Sequence, residues 1–355
     1  MITRRLGVEA ALVEGRVQRG DLSVEGGRVA AVGLAPGARG GGIAVPGFVD
    51  WQVNGFGGVA FRDADHAGLA SAAGALARAG IVWAAPTLHD TTIPGYCEAL
   101  GEITEFRRRH PDAGLLGVHL EGPHLSPQWN GAHDPANLTR CDPAEVAALA
   151  DAGDIVMVTI APELHRALEL IGQWRSMGVV VAVGHSDADA ACCARAAEAG
   201  ASVLTHCWNA HRRFTHRDPG PAGWALADEA VTLGLIADGV HVAPEALRIT
   251  FAAAPGRVAV TTDAVAAAGT VDPGATPRLG DGTLAGSVAT PSSMLGVLSG
   301  AGVPFEEAVE SLSVPQSRVL GLPGNRLRPG DRADVVVLDE GHGVLGCWRA
   351  GKRVT

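Results

Sequence analysis

The chain has 355 residues, of which 47% are apolar and 19% are charged; this composition excludes a disordered or fibrous protein, because it can bury a large core. Its 28 Lys and Arg against 38 Asp and Glu give a formal net charge of −10, which argues against a nucleic acid or an anionic membrane as the main partner. At roughly 100–200 residues per domain, the length fits two domains, or one barrel of about 250 residues with an appendage.

The cysteines and the first residues both predict a cytoplasmic protein. Six cysteines are spread along the chain without a CxxC pair, as expected for free thiols in a reducing compartment. The opening residues include Arg4 and Arg5 but reach Glu9 and Glu14 before a long apolar run can form. The sequence therefore predicts neither a signal peptide nor a membrane span.

Both ends of the chain predict short strands. The first 45 residues contain the alternating segments DLSVEG and GRVAAVG, joined by glycine-rich corners, which is typical of strands and turns. The last 30 residues, from NRLRPGDRADVVVLD to GCWRAGKRV, return to this pattern. We therefore predict a small β-sandwich domain built from both termini, residues 1–46 and 323–355.

The region between the termini predicts an α/β fold, a (β/α)8 TIM-type barrel over residues 47–322. Short apolar runs that end in polar residues alternate here with helix-like stretches, and the eight runs are AVPGFVDWQVNG, GIVWAAPTLHD, GLLGVHLEGP, DIVMVTIAPE, VVVAVGHSD, SVLTHCWNA, TLGLIADGVH and RVAVTTDAV. Apolar strands that alternate with helices indicate a parallel sheet buried on both faces, and eight units favour a closed barrel. We also expect an active-site loop at RRFTHRDPGPAG and a hairpin turn at Asp281-Gly282.

Nearly every apolar run ends in a polar residue, at the edge where such barrels build their active sites. These residues are Asp50, Gln52, Asn54, His89, His119, Glu121, Glu163, His185, His206, Asn209, Asp238, His241 and Asp263. Any one of them has a structural explanation, because single histidines are often hydrogen-bonded core residues and aspartates often cap the next helix. Together, however, one Glu, two His and one Asp at the ends of strands 3, 5, 6 and 8 are the set that a hydrolytic metal site needs, since buried ionisable groups are costly unless paired or metal-bound.

The residue types in this set predict metal-assisted hydrolysis. Two neutral imidazoles and one carboxylate leave Zn²⁺, or a similar cation, with an open position for water and a net positive charge. A further Asp outside the coordination shell can take a proton from that water and pass it to a leaving nitrogen.

Eight stretches, in order along the chain, match motifs of one known family. They are PGFVDWQVNGFGG, HLEGPHLSPQWNGAHDP, VAVGHSDA, LTHCWNA, IADGVH, TTDAVAAAG, GTLAGS and NRLRPGDRADVVVLD. Together they resemble the N-acetylglucosamine-6-phosphate deacetylases of the amidohydrolase superfamily; HLEGP with GAH, and THxxNA, are specific to that family. The resemblance implies hydrolysis of N-acetylglucosamine 6-phosphate to glucosamine 6-phosphate and acetate, in amino-sugar catabolism.

The resemblance also implies a role for each matching residue. Three residues would bind one divalent metal ion per subunit, with Zn²⁺ preferred and Fe²⁺, Mn²⁺ or Co²⁺ as alternatives: Glu121, His185 and His206. Asp263 would be the general base and then the acid for the departing amine, and His133 would contact the acetamido or sugar group and help polarise the carbonyl. The residues that would contact the sugar phosphate are Asn209, Ala210, His241 and Arg217. Arg217 would come from the neighbouring subunit of a homodimer.

The chain departs from the family pattern at the position of a second metal. Many amidohydrolases carry His-x-His at the end of strand 1, whereas Gln52 and Asn54 occupy those places here. Amides are poorer metal ligands than imidazoles. We therefore expect a vacant second-metal position and a single metal ion.

Other departures leave the exact sugar open. His211 replaces the Met that usually follows Asn-Ala, and His124 stands where an aromatic residue often follows EGP; either would reshape the sugar pocket, unless His211 faces solvent beside Arg212 and Arg213. The stretch from Asp263 to GTLAGS is also shorter than is usual in the family.

Three alternatives to the predicted activity therefore stay open. They are deacetylation of N-acetylgalactosamine 6-phosphate, hydrolysis of another N-acyl substrate such as an N-acyl amino acid, and a non-catalytic barrel scaffold. Because Arg offers bidentate hydrogen bonds to a phosphate and stays charged, the arginines that follow strand 6 favour a phosphorylated substrate.

Overall fold

The computed structural model describes residues 3–36 and 40–355. Residues 1, 2 and 37–39 of the predicted N-terminal unit lie outside the described residues. The strands are β1 Arg4–Arg5, β2 Ala10–Val13, β3 Arg16–Arg19, β4 Asp21–Glu25, β5 Arg28–Leu34, β6 Ile43–Pro46, β7 Phe48–Val53, β8 Gly55–Phe56, β9 Val59–Ala60, β10 Ile81–His89, β11 Val118–Glu121, β12 Ile155–Ile160, β13 Val180–Val183, β14 Ala201–Leu204, β15 Thr232–Leu235, β16 Val258–Val260, β17 Val335–Leu338, β18 Val344–Arg349 and β19 Lys352–Arg353.

The helices are α1 His66–Arg78, α2 Ile93–Arg109, α3 Pro143–Ala152, α4 Ala167–Ser176, α5 Ala190–Ala199, α6 Gly220–Ala227, α7 Pro244–Ala253, α8 Pro291–Gly300, α9 Phe305–Ser311 and α10 Val314–Val319. Short 3₁₀ helices span Phe61–Asp63, Pro127–Trp129 and Pro135–Asn137. Several barrel helices begin at an aspartate whose side chain accepts a backbone N–H of the first turn, as at Asp65, Asp142 and Asp189. These caps satisfy amide groups that a helix start otherwise leaves unpaired.

The predicted TIM barrel is confirmed. Strands β7, β10, β11, β12, β13, β14, β15 and β16 form one sheet in that order, and all neighbours pair in parallel. The first and last strands of the sheet meet at a parallel bridge between Val53 and Ala264, next to a 2.7 Å hydrogen bond from the Asn54 amide to the Ala264 carbonyl. The sheet therefore closes on itself.

Strand alternation divides the barrel side chains into two groups. One apolar residue from each of six strands fills the inside of the barrel: Trp51, Ala85, Met157, Ala182, Val203 and Ala259. Their neighbours along the strands face the helix layer and join the main core. Because successive strand residues point to opposite faces, His89 continues the inward series of β10 from Ala85. His185 and His206 instead follow their strands at positive φ values of +48° and +27°, so that backbone turns rather than strand alternation direct them to the carboxyl end of the barrel.

The predicted sandwich from both termini is also confirmed. A six-stranded sheet has the order β19-β18-β17-β6-β2-β3 and so combines both ends of the chain, and a second sheet has the order β1-β4-β5. The two sheets share a buried apolar cluster that includes Val8, Leu22, Val29, Val335 and Trp348. The proposed boundary at residues 46–47 falls between β6, in this domain, and β7, in the barrel.

One connection differs in detail from the sequence expectation, and another agrees with it. The loop predicted at RRFTHRDPGPAG is shorter than that stretch, because α6 already begins at Gly220. After β16, the predicted Asp281-Gly282 turn is present: the Gly282 amide donates to the Leu279 carbonyl at 2.9 Å, and Gly282 has a φ of +91°, which glycine adopts without strain. Among residues 3–36 and 40–355, no helix has both the length and the apolar character needed to cross a membrane.

Candidate active site

Three buried side chains meet at the carboxyl end of the barrel. Glu121 is the last residue of β11, and His185 and His206 follow β13 and β14. The His206 Nε2 lies 3.0 Å from the His185 Nε2 and 3.1 Å from the Glu121 Oε1, and the His185 Nε2 lies 3.4 Å from the same oxygen. One ligand atom from each residue thus lies within 4.8 Å of the others.

The hydrogen bonds of the two histidines fit a divalent cation. The His185 Nδ1 donates to the Trp129 carbonyl at 2.9 Å, and the His206 Nδ1 donates to the Asn209 carbonyl at 3.1 Å. Because a carbonyl only accepts, each Nδ1 carries a proton, which leaves Nε2 as the ring atom that can coordinate a cation. Two Nε2 atoms and a carboxylate oxygen that face one point are a donor set for a divalent metal ion, so the residues present fit such an ion.

Two amides bind the carboxylates of the site. The Gln52 Nε2 donates to the Glu121 Oε1 at 2.7 Å, and the Asn54 Nδ2 donates to the Asp263 Oδ1 at 2.8 Å. The amide oxygens of Gln52 and Asn54 are buried and have no hydrogen-bond partner among the described residues. Since the amide NH₂ groups are used on the carboxylates, these residues stabilise Glu121 and Asp263 by hydrogen bonds.

The pKa values of the two carboxyl groups are shifted in opposite directions. Burial acts to raise the pKa of Glu121, but hydrogen bonds with His133, His185 and His206 outweigh it and hold this pKa well below its usual range. Burial, together with the nearby charge of Glu121, raises the pKa of Asp263 to about 7. A carboxyl group with a pKa near neutrality can exchange protons during a reaction, whereas one with a depressed pKa stays an anion.

A cavity of about 580 Å³ opens above these residues. It is lined by Glu121, His185 and His206 and by further residues that the sequence singles out, which include Asn54, His133, Asn209, Ala210 and Asp263. His241 also lines it, and its Nδ1 lies 2.7 Å from the Asp238 Oδ2. Burial acts to raise the pKa of Asp238, but the hydrogen bonds from His241 outweigh it and lower this pKa. The Asp238 carboxylate thus fixes the orientation of the His241 ring.

The comparisons with known proteins agree with this geometry. The Amidohydrolase family matches residues 43–354. The chain belongs to the amidohydrolase family. N-acetylglucosamine-6-phosphate deacetylase of Bos taurus is 34% identical over 89% of this chain and 84% of its own, and N-acetylgalactosamine-6-phosphate deacetylase of Escherichia coli O157:H7 is 33% identical over 96% of both chains.

A solved structure shows the same fold throughout. The structure of a mutant N-acetyl-D-glucosamine-6-phosphate deacetylase from Mycobacterium smegmatis, in complex with N-acetyl-D-glucosamine-6-phosphate, is 35% identical, with a TM-score of 0.92 over 100% of both chains. Because the likeness covers the barrel and the sandwich together, it confirms the resemblance that the motifs predict.

Two residues of this amidohydrolase that depart from the family pattern, His211 and His124, lie outside the cavity. Neither His211 nor His124 is among the described residues that line the cavity. His211 does not face solvent either, because it is 4% exposed and its Nε2 donates to the Thr205 carbonyl at 2.8 Å. His124 is 3% exposed, and its Nε2 lies 3.1 Å from the Glu145 Oε2. Neither ring therefore lines the cavity directly, and the alternative that His211 faces solvent is wrong.

Other polar residues at strand ends have structural roles in this amidohydrolase. The His119 ring lies between the Trp51 carbonyl and the Thr159 hydroxyl, and burial lowers its pKa to about 4. The Glu163 carboxylate accepts hydrogen bonds from the Ser186 hydroxyl and the Asp187 amide. Arg217 is exposed on the loop after β14 and is not among the described residues that line the cavity.

Part of the cavity wall is not predicted from the sequence. It comes from loops and short 3₁₀ helices and includes Arg62, Asp90, Gln128, Trp129, Asn130, Leu279, Thr283 and Leu284. His89 also lines the cavity; burial, followed by the effect of His133, lowers its pKa to about 4. Only Asp90 had a usable signal, because it directly follows the last residue of a predicted strand.

Proposed function

We propose that this amidohydrolase removes the acetyl group of N-acetylglucosamine 6-phosphate, giving glucosamine 6-phosphate and acetate, in amino-sugar catabolism. The observation that carries the proposal is the meeting of Glu121, His185, His206 and Asp263 in one cavity. The relatives named for this reaction match the chain over most of its length and so support the substrate class. A scaffold would have no need for two carboxyl groups with opposite pKa shifts beside two facing imidazoles.

Glu121, His185 and His206 would hold one divalent metal ion. Two imidazole nitrogens and one carboxylate oxygen suit Zn²⁺, and Fe²⁺, Mn²⁺ and Co²⁺ accept the same donors. When bound, such an ion supplies Lewis acidity that activates water and polarises the substrate carbonyl.

The remaining chemistry belongs to two side chains of the cavity. The Asp263 carboxylate takes a proton from water as the water oxygen bonds to the acetamido carbon. It then gives that proton to the nitrogen as the C–N bond breaks, so that the amine leaves neutral. The His133 Nε2, which lies 3.7 Å from the Glu121 Oε2, lies on the side of the metal site where it can donate to the carbonyl oxygen.

Four residues would bind the phosphate end of the substrate. The Nδ1 of His241 is held by Asp238, and its Nε2, which has no hydrogen bond among the described residues, would contact a phosphate oxygen. Asn209 and Ala210 would contribute from the turn after β14. Because Arg217 is exposed outside the cavity of its own subunit, we propose that it reaches the site of the neighbouring subunit in a homodimer.

A second candidate substrate is N-acetylgalactosamine 6-phosphate. The Escherichia coli relative named for that sugar is about as similar to this chain as the relatives named for the gluco sugar. The two sugars differ in the configuration of one hydroxyl group, and the chemistry of the metal site is the same for both.

The test is acetate release from three compounds by metal-replete protein: both phosphorylated sugars and unphosphorylated N-acetylglucosamine. We expect fastest release from N-acetylglucosamine 6-phosphate and almost none from the unphosphorylated sugar. Faster release from the galacto sugar would select the second candidate, and no release from any of the three would overturn the proposal.

The described cysteines, none of which forms a disulfide, support a reducing cytoplasmic location.

A further inference from the structure

The turn after β14 combines functional residues with unfavourable backbone geometry. His206, Trp208 and Ala210 have φ values of +27°, +80° and +50°. Such values are rare for residues with a side chain and cost free energy unless surrounding contacts enforce them. The same turn supplies the metal-site residue His206 and the cavity residues Asn209 and Ala210. Something must therefore hold it in this conformation.

His211 connects the two ends of this turn. Its Nε2 donates to the carbonyl of Thr205, the residue directly before His206, at 2.8 Å. Its ring centroid lies 5.5 Å from that of His206, with 34° between the ring planes. The contact thus spans the whole turn and supports the ring that presents its Nε2 to the metal site.

The same segment is also tied to the second histidine of the site. The Arg212 amide donates to the Ser186 carbonyl at 2.8 Å, and the Ser186 amide donates to the Ala210 carbonyl at 3.3 Å. Ser186 directly follows His185 in the chain. Displacement of His211 would therefore reach both imidazoles of the metal site.

The two ring nitrogens of His211 differ in their hydrogen bonding, and this difference favours a positioning role over simple packing. The ring is 4% exposed, and its Nδ1 has no hydrogen-bond partner within the described part of the chain. An unpartnered buried nitrogen costs free energy. An apolar side chain of similar size would avoid that cost but would lose the bond from Nε2 to Thr205.

We propose that His211 is a positioning residue that closes the turn from Thr205 to His211 and so fixes His206 for metal binding. The proposal rests on the proposed function in one respect, namely that the three-residue site binds a divalent metal. His211 neither lines the cavity nor belongs to the three-residue cluster, so its effect would be transmitted through the backbone and the ring of His206.

The experiment compares Zn²⁺ affinity among variants, measured by competition with a chromogenic chelator. His211→Gln places an amide nitrogen as many bonds from the backbone as Nε2 and should bind Zn²⁺ within a few-fold of the wild type. His211→Phe keeps a ring but lacks the donor, and we expect about 10- to 100-fold weaker binding, as for other groups that orient metal ligands. His211→Asn, whose amide is one bond too short to reach Thr205, should behave like the Phe variant.

A matched control is His124→Phe, which removes another buried, hydrogen-bonded histidine outside the cavity. It should lower the melting temperature but leave Zn²⁺ affinity unchanged. Should the Phe variant of His211 fail to fold, the Asn and Gln variants give the same comparison with two amides.

The outcomes separate this inference from the proposed function. A wild-type protein that does not bind Zn²⁺, Fe²⁺, Mn²⁺ or Co²⁺ would overturn both. Wild-type binding with equal affinity in the Phe and Asn variants would overturn only the inference. Equal weakening in all three variants would show that the shape of the ring, rather than its hydrogen bond, holds the turn, and would overturn the inference as stated.

Discussion

Asp263 and Glu121 lie in the same buried site, yet their carboxyl groups are suited to different tasks. Burial acts to raise the pKa of Glu121, but the three histidines that face its carboxylate hold this pKa down. Asp263 receives one amide hydrogen bond, from Asn54, and burial raises its pKa to about 7. Environments that push two pKa values apart assign the roles of anion and proton carrier, which favours Glu121 as the ligand and Asp263 as the base.

The first prediction separates these two roles. Asp263→Asn should bind Zn²⁺ nearly as the wild type does and lose about 10²- to 10⁴-fold in kcat, the usual contribution of a general acid–base group. His206→Ala should lose both metal and turnover. Metal content and acetate release measure the two effects, and an Asp263→Asn protein with near-normal kcat would refute the proton-transfer role.

The second prediction concerns the pH dependence of stability in metal-free protein. The folded-state pKa of Asp263 is raised to about 7 from a model-peptide value of 3.8, so the folded state binds its proton more tightly than the unfolded state does. Stability is then lost as pH rises from about 4 to about 7, and the loss is constant above that range. The melting temperature of Asp263→Asn, minus that of the wild type, should therefore increase as pH rises from about 4 to about 7.

Thermal unfolding of chelator-treated protein at several pH values tests this expectation. The control is the same pair of proteins with excess Zn²⁺, where a nearby cation favours the charged carboxylate and should remove the trend. A melting-temperature difference that shrinks with rising pH in metal-free protein would contradict the prediction.

At the level of elements, the loop from Pro127 to Asn137 links the metal site to the substrate side of the cavity. The Trp129 carbonyl accepts from the His185 Nδ1, and the Asn130 side chain donates to the His133 carbonyl at 2.6 Å. The loop is anchored to the end of β10, where the Asp90 Oδ1 accepts hydrogen bonds from the Asp134 amide and the Asn137 side chain. One loop therefore orients both His185 and His133.

The third prediction follows from that anchor. Asp90→Ala should reduce kcat/KM by about 10- to 100-fold, because small displacements of a positioned group are costly, while protein-bound Zn²⁺ is retained. Asp90→Asn should keep most activity, since it retains the accepting oxygen and tolerates the φ of +53° at this position. The kinetics of both variants, with Zn²⁺ content, provide the measurement.

Asp65→Ala is a suitable control for this prediction. Asp65 caps α1 through the Gly68 amide, so its loss should cost about 1 kcal/mol of stability without changing kcat/KM. Equal kinetics for Asp90→Ala and the wild type would show that the loop holds His133 without this anchor.

The sequence predicts the residues at strand ends better than those in loops. Glu121, His185, His206 and Asp263 could be found because each closes an apolar run at the carboxyl end of a barrel strand, where closure of the barrel brings the strand ends together. Trp129, by contrast, reaches the site through a loop whose conformation depends on contacts with distant residues, which no local pattern encodes.

The burial of His211 is not predicted for a related reason. Three residues with positive φ, the first of them His206, turn the chain back toward the barrel, whereas the sequence leaves open both a place in the sugar pocket and exposure beside Arg212 and Arg213. Sequence reasoning has no signal for such a turn, because none of His206, Trp208 and Ala210 is a glycine or asparagine that would indicate a left-handed conformation.

At the scale of the whole molecule, the position of Arg217 bears on the assembly. It lies on the exposed loop between β14 and α6, outside the cavity of its own subunit. In that loop Arg212 is instead paired with Asp218, with an Nη2 to Oδ2 distance of 2.6 Å, which helps to fix the base of the loop. A guanidinium that projects from an anchored loop can bind a phosphate in an adjacent subunit.

The fourth prediction uses two inactive variants to test this arrangement. In the proposed homodimer, Arg217→Ala lacks the phosphate contact in both sites, and Asp263→Asn lacks the base in both sites. Each variant should be nearly inactive when assayed at a substrate concentration well below the wild-type KM.

A mixed dimer, however, contains one site with an intact Asp263 and an Arg217 from its partner. When equal amounts of the two variants are unfolded together and refolded, random pairing should restore about one quarter of the active sites present in the same amount of wild-type protein. Acetate release by the mixture, compared with the sum of the separately refolded variants, gives the result. Recovery well above that sum requires a shared site, whereas activity equal to the sum would mean that Arg217 acts within its own subunit or not at all.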